Sequence, residues 1–263
     1  MPELAEVELV RRQLTAVTGA TIARVHTDGS SRFAAAMAAM GGVLGVAERK
    51  GKWLSIPVNC LGGGVEGHLG IHLGMTGQLL LVPPASAPSR YRFNFELGDG
   101  RTLVLGDVRG FGRVTFTSVP FEGLILGLEP GQTGFTTALR AAAGIGRAPM
   151  IMTLLDQHKI SGVGAYIAQE ALWRAGISPH ARSVSDAGID VLAQKLHDVV
   201  TDSINTGGMS MRDYRRLDGS VGESFDRLDC YGRAGQPCRR CGAELHKERI
   251  GGRGVTWCRA CQA

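Results

Sequence analysis

The sequence predicts a two-lobed α+β protein, and three observations support this class. A helical pattern opens the chain, strand patterns follow from residue 20 to 117, and helical patterns dominate from residue 150 to 205. Two closely spaced pairs of cysteines then end the chain. We therefore expect an N-terminal β-sandwich that carries one helix, a helical second lobe and a C-terminal zinc ribbon.

The first predicted element is an amphipathic helix over residues 2–17. Apolar residues recur there at three- and four-residue spacing, which places them on one face of a helix: Leu4, Val7, Val10, Leu14 and Val17. Pro2 suits the first helical position, and Glu3 and Glu6 suit the positive end of the helix dipole.

Strand patterns follow the helix. Apolar residues alternate at Tyr91, Phe93, Phe95 and Leu97, and the Gly98-Asp99-Gly100 turn predicts a hairpin between residues 93–97 and 102–105. Gly62–Gly64 and Pro83–Pro88 are predicted loops.

The second half reads as helical. Residues 127–149 are weakly patterned and predict a hinge followed by a short helix. The predicted helices beyond it are Met150–His158, Ala165–Ala175 and Asp186–Asn205, the last capped by Ser185. A glycine-containing break, Ser161–Gly164, separates the first two.

The last segment has two C-x2-C pairs joined by a sixteen-residue spacer: Cys238 and Cys241, then Cys258 and Cys261. This spacing favours one zinc ion held by four thiolates, with a two-strand hairpin between the pairs. Two disulfides or unligated cysteines are the alternatives. The hairpin also carries several arginines, which indicate either phosphate binding or a solvated basic face.

Charge and composition limit the kinds of partner that the protein is expected to bind. The net charge is +5, and residues 210–263 hold 11 Lys and Arg against 7 Asp and Glu, which favours a polyanion partner for the C-terminal part. We find no apolar run long enough for a membrane span and no secretory signal at the N-terminus. Cysteines with zinc spacing suit a reducing cytoplasm, near the nucleoid if the source is bacterial.

Several segments together resemble the formamidopyrimidine-DNA glycosylase and endonuclease VIII family of base-excision repair enzymes, nearer the formamidopyrimidine branch. In chain order they are MPELAEVE, KGKWL, HLGMTGQL, DVRGFGR, LGLEP, LLDQHKISGVGAYIAQEAL and GGRGVTWCRACQ. The resemblance implies a monomeric bifunctional DNA glycosylase and abasic-site lyase that removes oxidised or ring-opened purines from duplex DNA. It also implies a DNA cleft between the β-sandwich and a lobe made of a helix–two-turn–helix motif and the zinc ribbon.

We predict three domains on this basis. They are a catalytic β-sandwich over residues 1–130, a hinge and helical DNA-binding domain over 131–229, and a zinc-ribbon finger over 230–263.

Four residues are the predicted catalytic set. Once Met1 is removed, Pro2 presents a secondary amine able to attack C1′ of deoxyribose, and Glu3 is placed to act as a general acid at O4′. The resemblance places Lys52 against a DNA phosphate and Arg253 across the phosphates of a flipped nucleotide. A helix start, a first-turn acid and an exposed strand-edge lysine are the structural alternatives for Pro2, Glu3 and Lys52. Glu6 matches a family acid near the pocket, although a solvated helix face explains it equally well.

DNA-binding residues follow from the same resemblance. Met75, Arg109 and Phe111 match side chains that fill the hole left by a flipped base and hold its orphaned partner. Core packing is the alternative for Met75 and Phe111. Gly162 and Gly164 match backbone donors to a phosphate.

The chain departs from the family pattern at several positions. Ala165 stands where an Asn normally contacts a phosphate, and Gly110 replaces a second Arg after Arg109. Ala5 replaces a second Pro, Ile151 stands where oxidised-purine enzymes carry a lysine, and Cys230 replaces an apolar residue. Two alternative functions therefore remain: a divergent glycosylase for a bulky lesion, and a non-catalytic damaged-DNA-binding protein.

Overall fold

The computed structural model describes residues 2–60, 67–83, 93–144, 148–209 and 214–262. The predicted loop at 62–64 and residues 84–88 of the second predicted loop lie outside these ranges. The chain folds into two compact units: unit 1 is Met1–Leu124 with Thr206–Glu223, and unit 2 is Ile125–Asn205 with Ser224–Ala263. Within the described ranges, no helix combines the length and apolarity needed to cross a membrane.

Unit 1 contains the predicted β-sandwich. Its strands are β1 (Ile22–Thr27), β2 (Gly42–Leu44), β3 (Glu48–Lys50), β4 (Trp53–Cys60), β5 (Gly67–His72), β6 (Gln78–Val82), β7 (Phe93–Leu97), β8 (Thr102–Gly106) and β9 (Arg113–Thr117). One antiparallel sheet has the order β1-β7-β8-β6, and the other has the order β2-β4-β5-β9 with β3 also paired to β4. The predicted hairpin is confirmed, because β7 and β8 pair in antiparallel register.

The opening helix is shorter than predicted. Helix α1 spans Leu4–Gln13, and Leu14–Val17 form a 3₁₀ turn. The predicted apolar face is confirmed, because its five residues are all buried and four of them join the core of the sandwich. Pro2 as the first helical residue is wrong, since the extended residue Glu3 caps the helix and Pro2 precedes it.

Residues 206–223 belong to unit 1, although the predicted domain boundaries place them with the helical part. Two buried side chains, Tyr214 and Leu217, join the core of the sandwich. The Leu217 carbonyl accepts the N–H of Leu81 at 2.8 Å, and the Leu217 N–H donates to Oε1 of Gln13 at 2.8 Å. The chain therefore returns to the sandwich before it enters the ribbon.

Unit 2 begins with four helices, α2 (Phe135–Gly144), α3 (Met150–Leu155), α4 (Ala165–Ala175) and α5 (Asp186–Asn205). The predicted ends of α4 and α5 are confirmed, and Ser185 caps α5 by accepting the N–H of Gly188 at 3.2 Å. Helix α3 ends three residues before the predicted His158, and a turn at residues 157–159 followed by a bend at 161–162 connects it to α4. In the interior, the hydroxyl groups of Tyr166 and Ser203 lie 3.1 Å apart and join α4 to α5.

The ribbon closes unit 2 with strands β10 (His246–Ile250) and β11 (Arg253–Trp257) in antiparallel register. Glu170 of α4 fixes the chain at the entry to the ribbon. Its fully buried carboxylate accepts three backbone N–H groups, from Asp229 at 2.9 Å, Cys230 at 2.8 Å and Tyr231 at 2.7 Å. Burial raises the pKa of Glu170, and these three donors oppose that shift.

Candidate functional site

The N-terminal residues of unit 1 are held by a buried carboxylate. Glu6 is only 1% exposed, so the solvated-face interpretation is wrong. Its Oε2 accepts the N–H of Glu3 at 2.8 Å, and its Oε1 accepts the N–H of Met209 at 2.8 Å. Tyr214 adds a third link by donating its hydroxyl to the Glu6 carbonyl at 3.2 Å. Glu6 therefore fixes the backbone beside Pro2, which is itself buried.

Lys52 lies in a two-residue turn between β3 and β4. Gly51 precedes it with a φ of +58°, a conformation that favours glycine. Arg49 connects this turn to α1, because its Nε donates to Glu8 at 3.1 Å and a terminal nitrogen donates to the Gly51 carbonyl at 3.0 Å. The lysine turn and the helix that follows Pro2 are therefore joined through one guanidinium.

Glu8 is the centre of this ion-pair cluster. Its carboxylate accepts hydrogen bonds from Arg11, Arg12 and Arg49 at distances between 2.8 and 3.1 Å. Burial alone would raise the pKa of Glu8, but these three guanidinium groups outweigh burial and lower it to about 2. Glu8 is consequently ionised throughout the neutral range.

His72 is a residue of this region that the sequence analysis did not single out. Its ring lies against Trp53, with centroids 4.8 Å apart, and its Nδ1 accepts the N–H of Gly74 at 3.1 Å. Burial, assisted by the positive charges of Lys52 and Arg113, lowers the pKa of His72 to about 4. A neutral imidazole therefore links the lysine turn to the loop that carries Met75.

Met75, Arg109 and Phe111, the side chains predicted to fill the hole in the duplex, are called the wedge residues below. Met75 lies on one loop and the other two lie on a second loop, and the buried carboxylate of Asp107 joins these two wedge loops. Its Oδ1 accepts the Thr76 hydroxyl at 2.6 Å, and its Oδ2 accepts the N–H of Gly112 at 2.6 Å. Thr76 in turn accepts the N–H of Arg109 at 3.2 Å. Gly74 allows the loops to touch, because a Cβ at that position would lie 2.6 Å from the Phe111 carbonyl carbon.

The wedge side chains themselves are exposed, so core packing does not explain them. Met75 is 40% exposed and Phe111 is 51% exposed, and the Arg109 guanidinium lies 5.1 Å from the Phe111 ring centroid. Arg32 donates to the Gly110 carbonyl. It therefore brings a guanidinium to the position where the family pattern has a second arginine.

In unit 2, the loop before α4 contains the predicted backbone donors. Gly162 has a φ of +82°, and its N–H donates to Oε1 of Gln157 at 3.0 Å. The Gln157 amide also donates to the Val163 carbonyl at 2.7 Å. Gly164 caps α4, and Ala165 is the first residue of that helix. A phosphate donor role for Gly162 would thus require its N–H to exchange partners.

Arg253 stands at the first position of β11, after a turn formed by Gly251 and Gly252. Arg253 is exposed, and a Cβ at Gly254 would meet only Lys247, at 3.8 Å. A ligand could therefore approach the backbone here closely.

The four predicted cysteine ligands come together at one end of unit 2. The Sγ atoms of Cys238, Cys241, Cys258 and Cys261 all lie within 4.8 Å of one another, and two of the pairs are 4.0 and 3.5 Å apart. Thiolates bound to zinc at about 2.3 Å lie roughly 3.8 Å apart, so the cluster fits one Zn²⁺. Disulfides would need sulfurs about 2.05 Å apart, which excludes that alternative for this arrangement. Bound here, zinc supplies folding stability to the ribbon.

Other ribbon residues are structural. Arg240 lies over the Trp173 ring at 4.5 Å and donates to the carbonyls of Trp173 and Arg174 at the end of α4, so it is not a free phosphate ligand. Trp173 donates its indole N–H to the Cys238 sulfur at 3.4 Å. Cys230 is buried and donates to the Thr256 carbonyl at 3.0 Å, which agrees with its prediction as a core residue outside the metal set.

Comparisons with known families cover most of the chain. The model described as the formamidopyrimidine-DNA glycosylase N-terminal domain matches residues 1–114. The model of the formamidopyrimidine-DNA glycosylase helix–two-turn–helix (H2TH) domain matches residues 126–215, and that of the zinc finger found in FPG and IleRS matches residues 235–263.

Individual relatives agree with this result. Formamidopyrimidine-DNA glycosylase of Syntrophotalea carbinolica is 36% identical over the full length of both chains, and that of Chloroflexus aurantiacus is 35% identical over 100% of this chain and 98% of its own. The crystal structure of MutM (Fpg) from Thermus thermophilus matches with a TM-score of 0.89 and 33% identity, covering 99% of this chain and 98% of that one. A complex of Lactococcus lactis Fpg with abasic-site DNA matches with a TM-score of 0.86 and 27% identity, covering 99% of each chain.

Proposed function

Because the chain belongs to the formamidopyrimidine-DNA glycosylase family and is a DNA glycosylase for oxidised purines, we propose that it acts through the amine of Pro2. The observation that carries this mechanism is the clamp formed by Glu6. The clamp holds the N–H of Glu3 and leaves Pro2 before the helix, at the end where the macrodipole is positive. The backbone that carries the amine is therefore held in one position at the start of the helix.

The reaction begins when the Pro2 nitrogen attacks C1′ of the damaged nucleotide. Glu3 donates a proton to O4′, the sugar ring opens, and the base departs with the electrons of the glycosidic bond and the proton that the Pro2 amine gives up. A protonated Schiff base then joins Pro2 to C1′. Loss of a C2′ proton expels the 3′ phosphate, and a second elimination expels the 5′ phosphate.

DNA is held by the residues already assigned to phosphate and wedge roles. Lys52 neutralises a phosphate near the reacting sugar, and Arg253 bridges phosphates around the flipped nucleotide. Met75 and Phe111 fill the hole in the duplex, and Arg109, stacked on Phe111, bonds to the orphaned base. Gly162 and Gly164 present backbone near a phosphate before α4. We propose that the enzyme is a monomer that meets duplex DNA in the cytoplasm, and that its three predicted domains act together on this substrate.

Borohydride trapping on abasic-site DNA tests the nucleophile. Mature protein that begins at Pro2 should give a stable adduct on its N-terminal peptide. One extra residue before Pro2 should abolish trapping while zinc content and DNA binding stay unchanged, since an acylated nitrogen has no nucleophilic lone pair.

Two matched variants sharpen this experiment. Pro2→Gly keeps a primary amine and should retain part of the trapping, and Lys52→Ala should retain an adduct at the N-terminus. If the N-terminally blocked protein still forms an adduct, and that adduct maps to Lys52, then the Pro2 mechanism is wrong.

A further inference from the structure

One edge of strand β11 is bonded by a side chain of helix α4. Oε1 of Gln169 accepts the N–H of Thr256 at 2.8 Å, and its Nε2 donates to the Gly254 carbonyl at 3.3 Å. Alternate residues of a strand direct their N–H and C=O groups to the same edge. The Gln169 amide therefore makes the pair of bonds that a peptide group of a neighbouring strand would make.

Burial makes the bond between Gln169 and the Thr256 N–H costly to lose, whereas the second bond ends at the exposed residue Gly254. Gln169 is 2% exposed, Thr256 is 5% exposed, and Val255 between the two bonded groups is 1% exposed. Polar groups at such depth are costly when they lose a partner, so the amide and the strand hold each other in one register.

The turn that leads into β11 is held separately. Gly251 has a φ of +56°, and a Cβ at that position would lie 2.4 Å from the sulfur of Met152 in α3. The backbone of Arg253 is thus bounded by a turn packed on α3 and by a strand bonded to α4. These two contacts fix the position of the Arg253 backbone, from which the exposed side chain extends.

We propose that Gln169 is a positioning residue for Arg253, and that it sets the geometry with which this guanidinium meets the phosphates of DNA. The proposal rests on the phosphate role of Arg253 given above. Charge-assisted bonds from a guanidinium to phosphate are directional, so a strand that slips or tilts weakens them even when the charge remains. Gln169 touches neither DNA nor the reacting atoms in this scheme.

A double-mutant cycle tests the proposal with duplex DNA that contains a tetrahydrofuran abasic-site analogue. The four proteins are the wild type, Gln169→Met, Arg253→Ala and the double variant. Methionine has a similar size but leaves the buried Thr256 N–H unpaired and removes the side-chain donor to the Gly254 carbonyl, so Gln169→Met should weaken binding by about tenfold. It should also reduce the slope of log K against log salt toward that of Arg253→Ala. In the Arg253→Ala background the Gln169 change should have no further effect, because its influence passes through Arg253.

Tyr166→Phe is the matched control. It removes from the same helix a buried hydroxyl that lies 3.1 Å from the hydroxyl of Ser203 in α5. Its effect on DNA binding should therefore be the same factor with and without Arg253. Zinc content and melting temperature are measured for every protein. If Gln169→Met is not folded, Gln169→Glu replaces it, since the carboxylate keeps an acceptor for the Thr256 N–H.

The outcomes separate this inference from the function on which it rests. Equal losses from the Gln169 change in both backgrounds would show that Gln169 only supports the fold, and would overturn the proposal. The same conclusion follows if Arg253→Ala weakens binding and neither Gln169 variant does. If Arg253→Ala leaves binding and salt slope unchanged, the phosphate role of Arg253 fails, and the positioning role fails with it, whereas trapping at Pro2 is judged by its own experiment.

Discussion

Replacing Asp107 with Asn should uncouple base extrusion from strand cleavage. In the folded protein the carboxylate of Asp107 accepts two hydrogen bonds of 2.6 Å, one from each wedge loop. An asparagine oxygen can accept only from the Gly112 N–H in this arrangement, because its NH₂ group cannot face another donor. The NH₂ group then faces Thr76, whose hydroxyl loses its acceptor.

The free-energy cost of the substitution follows from this change in hydrogen bonding. One charge-assisted hydrogen bond is lost and the half-buried Thr76 hydroxyl has no acceptor for its proton, which costs about 1.5–3 kcal/mol. If the whole cost falls on the arrangement of the two loops, extrusion of a base slows by about 10- to 100-fold. The loop that carries Arg109 is the one most affected, since its N–H bonds to the same hydroxyl.

Single-turnover rates on two duplexes provide the assay. Excision of an oxidised purine requires the wedge, whereas cleavage of a preformed abasic site requires less of it. Asp107→Asn should therefore slow excision by about tenfold or more and leave abasic-site cleavage within about threefold. Asp99→Asn is the control, because it removes a negative charge from an exposed turn of the same unit. Equal losses in both reactions would refute the reasoning and make Asp107 a general support of the fold.

Three further predictions concern the metal, acid stability and the wedge. Cys238→Ser should lower zinc content below one ion per chain and increase proteolysis of the ribbon, and unchanged zinc content by metal analysis would contradict the four-cysteine site. The lowered pKa of Glu8 means that its cluster stabilises the fold above about pH 5 and that this contribution disappears as the pH falls toward 2. Urea unfolding should therefore show a smaller loss of stability between pH 5 and pH 3 in Glu8→Gln than in the wild type, and parallel curves would count against the cluster. Phe111→Ala and Met75→Ala should slow base excision more than abasic-site cleavage, and a drop in melting temperature with no such selectivity would identify them as packing residues.

The sequence predicted correctly those elements whose ends and geometry depend on residues close together in the chain. Helices α4 and α5 have the predicted ends because the residues that determine them lie in or beside each helix. A glycine caps α4, a serine caps α5, and each helix has its own apolar stripe. The spacing within each C-x2-C pair likewise predicts a shared metal site, and the four sulfur atoms lie together as expected. The exposure of Met75 and Phe111 agrees with their position in glycine-rich loops.

Contacts between residues far apart in the chain could not be predicted from such local patterns. The role of Asp107 depends on Thr76, which lies on another loop, and the role of Gln169 depends on a strand 85 to 87 residues later. Neither residue has a local signature, since an Asp in a turn and a Gln in a helix are ordinary. A buried polar side chain becomes informative only when its partners are known, because the cost of burial is what makes the pairing specific.

Glu6 illustrates this limit at the position that matters most for the proposed chemistry. The sequence left a family acid near the pocket and a solvated helix face as equal interpretations of Glu6. Its carboxylate is buried and accepts one N–H from Glu3 and another from Met209, 203 residues away. The Tyr214 hydroxyl adds a bond from the same returning segment. The N-terminal residues therefore reach their final arrangement only after residues 206–223 have joined the sandwich. A fragment that ends at Leu124 would keep the bond between Glu3 and Glu6 but lose the bonds from Met209 and Tyr214, so the backbone beside the Pro2 amine would be held less firmly.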